Sequence, residues 1–320
     1  MQYRRSIVSR EAWQPRTYAR VRCVCALVLV AAAAPARADD TAVDRPSTER
    51  LAISASAVAG IYAVVGTYAY FAWFHQAHEV PFFFVSDWRD ENPFAVHSYA
   101  GGADKWGHGW TNYILVRGTT EMLTAGGWDR LGSSLVAAGL AETAFTLSEV
   151  KDGFIWGFEV GDFAANVTGA LLAVLFENSK TIDRLFDFRL AYFPSSDYRY
   201  LVRSSPFFQR GNGVDFTQDY SGQSYLLALH LRELPGLKDQ VWAPFVDVVG
   251  GFETRGFEPT RQDMSIAPRQ VFYAGIAVNM QGVLDALFSD SIGRRIGHGV
   301  FEVVSLPYTT LRYGEATRSP

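Results

Sequence analysis

A chain of 320 residues, 48% hydrophobic and 14% aromatic, has room for one large domain or two ordinary ones; it is apolar for a water-soluble globule and too polar for a polytopic transporter. Its 33 acidic and 29 basic residues leave a formal net charge of -4. With no basic block to neutralise a phosphate backbone, a nucleic-acid partner has no electrostatic footprint and is set aside.

Residues 1–38 read as a signal peptide. Arg4, Arg5, Arg10, Arg16, Arg20 and Arg22 precede an apolar run from Cys23 to Ala34, and Ala36-Arg37-Ala38 forms an A-x-A cleavage site before Asp39-Asp40. Cys23 and Cys25 both fall inside this leader, so the mature protein is expected to lack disulfides, thiolate ligands and a cysteine nucleophile. Neither cysteine follows the small-residue lipobox that lipid attachment needs, since Val21-Arg22 precede the first and Cys23-Val24 the second.

Residues 39–50 are polar, contain Pro46 and suit a short linker. An apolar helical domain is expected over 51–180. Its first segment, 51–74, holds no charge and ends in the aromatic cluster Tyr68, Tyr70, Phe71, Trp73 and Phe74, which fits a membrane-spanning helix with an interfacial belt. Its small residues Ala57, Gly60, Ala63 and Gly66 would equally suit close packing inside a core. The connection 75–103, with Pro81, Pro93, Gly101-Gly102 and the run Phe82-Phe83-Phe84, is either functional or a covering loop over the helices. Three more helices are expected at roughly 104–123, 131–149 and 159–177, divided by Gly126-Gly127-Trp128 and Lys151-Asp152-Gly153. Short turns favour antiparallel neighbours, hence a four-helix block.

The region 181–320 carries more charge, proline and glycine. Tyr225, Leu227, Leu229 and Leu231 alternate along one run, Val246, Val248 and Phe252 along a second, and Phe272, Ala274, Ile276, Val278 and Met280 along a third. An antiparallel β meander is expected between about 220 and 282, followed by a C-terminal helix or two and a frayed tail. The fold class is therefore α+β.

Helical arithmetic gives each of the last three helices one polar edge. Asp104, His108, Thr111, Leu115, Gly118 and Met122 fall on one stripe, with Arg117 nearly opposite and so facing solvent or headgroups. Glu142 and Glu149 share a stripe, as do Asp162, Asn166, Gly169 and Ala173. These edges should face one another, because an unpaired carboxylate in lipid or core costs several kcal/mol. Three readings stay open. In a structural polar network, Asp104 caps its helix, Lys105 or His108 pairs with Glu149, and Asn166 satisfies backbone groups. As a metal site, Asp104, His108 and Glu149 would hold a divalent ion. As an acid–base centre, His108, Glu149 and Asp162 would carry catalysis. No nucleophile elbow, phosphate-cradling loop or dinucleotide fingerprint is present, and His75, His97, His230 and His298 read as ordinary surface or interface residues.

The order Asp104-Lys105-x-x-His108, Glu149-x-x-Asp152-Gly153, Gly157-Phe158 and Gly161-Asp162-x-x-x-Asn166-x-x-Gly169 resembles the YfiM-like family, a domain of unknown function predicted to be periplasmic lipoproteins. The run Asp219 to Tyr225 is similar to that family's strand entry, so the resemblance extends over roughly 100–285. A shorter pattern of Asp104-Lys105, His108, Glu149, Asp162, Asn166 and Gly169 is loosely similar to VanZ-like membrane proteins. The resemblance implies a periplasm-facing, membrane-associated envelope location and no assigned substrate; the missing lipobox shifts the expected attachment to the helix at 51–74. The leading expectation is a structural or binding module whose partners are membrane lipids or an envelope protein. The alternative is a membrane-associated, hydrolase-like and possibly metal-dependent enzyme acting on a lipid or cell-wall precursor.

Overall fold

A computed structural model describes residues 47–75, 77–85, 91–196, 199, 217, 219–257, 267–289 and 292–320. The expected leader and residues 39–46 of the linker lie outside them. Helix α1 spans Thr48–Ala69, and its start is fixed by Ser47, whose side chain accepts a hydrogen bond from the Arg50 amide. It passes into a π-helical turn over Tyr70–Phe74. Only Ser54 and Val58 of α1 are buried, while Ile53 and Val64 are 62% and 56% exposed.

The three further helices fall where the sequence placed them: α2 over Ala103–Ala125, α3 over Arg130–Asp152 and α4 over Val160–Asn178. Entry to α2 demands glycine. Gly102 sits at φ +87°, and a Cβ there would lie 2.4 Å from the Pro93 carbonyl oxygen. Helices α2 and α4 pack backbone against backbone: a Cβ on Gly169 would fall 2.0 Å from the Gly109 carbonyl oxygen. Around this contact the core gathers Trp110, Tyr113, Val116, Ala137, Ala141, Ala170, Ala173 and Phe176. The loop before α2 covers the α3–α4 turn, with the Phe83 amide donating to the Gly153 carbonyl at 3.0 Å and the Phe158 amide to the Phe83 carbonyl at 2.8 Å.

After the short helix α5, Lys180–Leu185, come strands β1, Phe186–Tyr192, β2, Gln223–His230, β3, Val246–Arg255, and β4, Arg269–Val278. Helices α6, Met280–Leu287, and α7, Ile292–Val303, lead into β5, Val304–Ser305, and β6, Thr310–Arg318. The six strands form one sheet in the order β5-β1-β2-β3-β4-β6, antiparallel throughout except for the β1–β5 pair. The expected meander is thus present as β2–β3–β4, widened by three further strands, and the C-terminal stretch ends in an edge strand and not in a frayed tail.

Register decides which face meets the helices. Leu190 lies opposite Tyr225, Tyr225 opposite Phe252, and Phe252 opposite Phe272. Trp106 of α2 stacks on Phe252 at 5.3 Å, and Tyr113 meets Phe188 edge-on at 5.6 Å. On the other face Leu226, Ala228, Val249, Val271, Tyr273 and Ala277 make a second core. That face also buries Asp187, Arg189, His230 and Asp247. His230 is therefore no surface histidine: its ring nitrogens lie 2.9 Å from Asp247 Oδ1 and 3.1 Å from Asp187 Oδ2.

Candidate functional site

The polar edges of α2, α3 and α4 do meet. Lys105, with no side-chain exposure, brings its ammonium 2.7 Å from Asp162 Oδ1, 3.4 Å from Asp104 Oδ2 and 3.3 Å from Glu91 Oε2, and it donates to Glu159 as well. The Tyr220 hydroxyl, from the turn entering β2, donates to Asp104 Oδ1 at 2.7 Å. One turn along α2, the His108 Nδ1 lies 3.0 Å from Asn166 Oδ1 and 3.4 Å from Glu149 Oε1. Asn166 is fixed in turn, since its Oδ1 also accepts from Asn112 Nδ2 at 2.8 Å and its Nδ2 donates to Glu149 at 3.2 Å.

The His108 Nδ1 faces this amide and carboxyl pair, and Nε2 faces the other way. There it lies 3.9 Å from both Asp104 Oδ1 and Asp162 Oδ2. Each aspartate thus turns one oxygen to Lys105 and the other to His108. His108 keeps 25% of its side chain exposed, against 11% for Asp104, 9% for Asp162 and 2% for Glu149, so solvent reaches the centre over the imidazole.

Charge is unevenly tolerated here. Burial works against the ionised form of Asp104, but Lys105, His108 and the Tyr220 hydrogen bond outweigh it and hold its carboxyl below the ordinary range. Burial and the neighbouring Asp104 push Asp162 well up, with Lys105 opposing. Glu149 is pushed up to about 8, chiefly by burial and only partly offset by His108. Burial likewise lifts Asp152 to about 7, and its Oδ1 is buried without a hydrogen-bond partner among the described residues.

Several expectations need correction. Asp104 does not cap α2, whose N-cap is Gly102; its carboxylate is used by Tyr220 and Lys105 instead. Asn166 serves side chains and not backbone groups. Arg117 is buried, donating to Tyr113 Oη at 2.6 Å, Glu177 Oε1 at 3.0 Å, Asp183 Oδ1 at 2.7 Å and Glu302. Glu142 stays outside the centre, raised to about 7 by burial and without a hydrogen bond among the described residues. Of the metal set Asp104, His108 and Glu149, the geometry brings the donor atoms of Asp104 and His108 together with Asp162, all within 4.8 Å, and puts Glu149 behind the opposite ring nitrogen. Gly169 acts through the helix contact. Glu91, Glu159 and Asn112 complete the centre without having been singled out, Asn112 lying one turn after His108 on the same helix, while Tyr220 had entered only within the strand-entry run 219–225, with no role in the centre.

Residues 90–178 match the family model described as predicted periplasmic lipoprotein (DUF2279), a domain of unknown function. The matched stretch holds α2, α3, α4 and every member of the polar centre except Tyr220. It stops short of the strand entry at 219–225, so the match is narrower than the expected 100–285. No curated protein and no solved structure matches the chain. The match agrees with a periplasm-facing, membrane-associated place in the cell envelope.

Proposed function

We propose that the chain is a membrane-associated binding module of the envelope, of the YfiM-like or VanZ-like type, held at the bilayer by α1 and presenting the helical block and sheet to the periplasm. The observation that carries this reading is α1 itself. Residues 51–74 hold no charge, the 22-residue helix buries only two side chains against the rest of the protein, and its length of about 33 Å matches a hydrocarbon core of about 30 Å. Leaving such a surface in water costs about 25 cal/mol for each Å²; lipid removes that cost. Helix α4 also has the length and hydropathy to span, but 44% of its most apolar window is buried inside the protein against 11% for α1, so α4 is read as a core helix. Membrane lipids, or an envelope protein beside them, are the partners this geometry favours.

Alkaline carbonate extraction of an envelope fraction tests the reading. The full chain should stay with the membrane pellet; complete release to the supernatant would remove α1 as an anchor. A second reading, a hydrolase-like enzyme acting on a lipid or cell-wall precursor, draws support from His108, the most exposed of the centre's His108, Asp104, Asp162 and Glu149 side chains and the one whose ring is oriented for proton transfer.

A further inference from the structure

The protein buries two charged clusters, and they balance differently. On the sheet, Asp187 and Asp247 face Arg189 and His230, two anionic groups against two cationic ones. In the helical block, Lys105 serves Asp104, Asp162, Glu159 and Glu91, while Glu149 stands behind His108. The surplus of carboxylates is concentrated where His108 Nε2, Asp104 Oδ1 and Asp162 Oδ2 converge. Those three atoms all lie within 4.8 Å of one another. Asp162 is 94% buried by its 6% residual exposure; it turns Oδ1 to the Lys105 ammonium and Oδ2 toward His108. Carboxylates gathered in a buried setting are unfavourable unless a cation or a proton joins them, and Lys105 takes the oxygens turned away from His108.

We propose that Asp104, His108 and Asp162 form a divalent-cation site, with Glu149 and Asn166 as positioning residues that hold the His108 ring. The arrangement has the form found behind metal-bound imidazoles, in which the far ring nitrogen donates to a carboxylate or carbonyl oxygen and so fixes both tautomer and direction. One imidazole with two carboxylates favours a first-row ion such as Mn²⁺ or Zn²⁺ over an alkali cation. Nitrogen–oxygen separations of 3.9 Å would close by roughly 0.5 Å around an ion held at about 2.1 Å. The exposed edge of His108 supplies the way in. The inference rests on reading the centre as a binding site, and it does not depend on α1 spanning a membrane.

The test uses the full chain in detergent, stripped with a chelator, dialysed and titrated with Mn²⁺ while the free ion is followed by electron paramagnetic resonance; Zn²⁺ competition gives the second affinity. The expected result is one ion per chain. His108→Gln should weaken it at least tenfold, and Glu149→Gln, which removes no ligand, by about 10–100-fold. Glu142→Gln, at another buried carboxylate, should leave it unchanged. The proposal is overturned if the wild type binds neither ion beyond the level of His108→Gln, or if Glu142→Gln costs as much as His108→Gln. Should His108→Gln not fold, Glu149→Gln decides: weakened binding with an unshifted metal-free melting curve supports the site, and unchanged binding overturns it. Failure here would leave carbonate extraction unaffected, so the two readings fail separately.

Discussion

Raising the pH through 9 should weaken the sheet by way of His230. Its Nδ1 meets Asp247 and its Nε2 meets Asp187, so a carboxylate stands at each ring nitrogen, with Asn279 Nδ2 also 2.9 Å from Nδ1. Burial opposes the charge, but the hydrogen bonds and fields of the two aspartates outweigh it and lift the pKa from 6.5 to about 9. A pKa raised on folding means that the folded state holds the proton more tightly. The stabilisation is then fully present below about 6.5 and is lost as the pH climbs from there through about 9. A rise of that size corresponds to about 3 kcal/mol, a sizeable part of the 5–15 kcal/mol typical of a domain. The measurement is a set of denaturant unfolding curves at pH 6, 8 and 10 for the wild type and for His230→Gln, which cannot carry the proton. The stability gap between them should be widest at pH 6 and shrink by about 3 kcal/mol by pH 10. A gap that stays constant, or widens with pH, would refute the assignment of a charged imidazole to this cluster.

Two further substitutions test the helical block. Lys105→Met leaves the carboxylates of Asp104, Asp162, Glu159 and Glu91 without their shared ammonium, and should cost about 3–5 kcal/mol in unfolding free energy at pH 7; a loss under about 1 kcal/mol would mean that the side chains relax to solvent. Gly169→Ala drives a methyl group into the Gly109 carbonyl, and the overpacking should lower stability by about 1–3 kcal/mol, seen as a reduced melting temperature, whereas Gly139→Ala, whose added Cβ meets nothing within 4 Å, should not.

The helices were legible because their boundaries are written locally: the glycines at 126, 127 and 153 stop them, and Asp129 caps α3 by accepting from the Gly132 amide at 2.7 Å. The polar centre was legible as three edges, since helical spacing alone puts His108 over Asp104 and Asn166 over Asp162. What spacing cannot supply is the partner. Arg117 lies opposite the polar stripe and so read as solvent-facing, yet Glu177, Asp183 and Glu302 reach it from positions 60, 66 and 185 residues away. Strand β1 was hidden by its own charges, because Asp187 and Arg189 interrupt the apolar row of Phe186, Phe188 and Leu190 in the manner of a surface strand while both faces are in fact covered. Strand β6 shows even less, as its place comes from pairing with β4 and not from side chains that seek a core.

The hydrogen bond from Tyr220 to Asp104 joins residues 116 positions apart, and Trp110 Nε1 donates to the Val303 carbonyl across 193 positions. Loops of that length close late and cost entropy before any contact repays it. A chain emerging N-terminus first can build α2, α3 and α4 early, but Asp104 and Arg117 then wait, charged and hydrated, for a turn and a helix not yet delivered. Completion of the polar centre is therefore a report that the C-terminal third has arrived. A fragment ending at residue 178 would keep the stretch that matches the family model and lack the Tyr220 hydroxyl that finishes its centre.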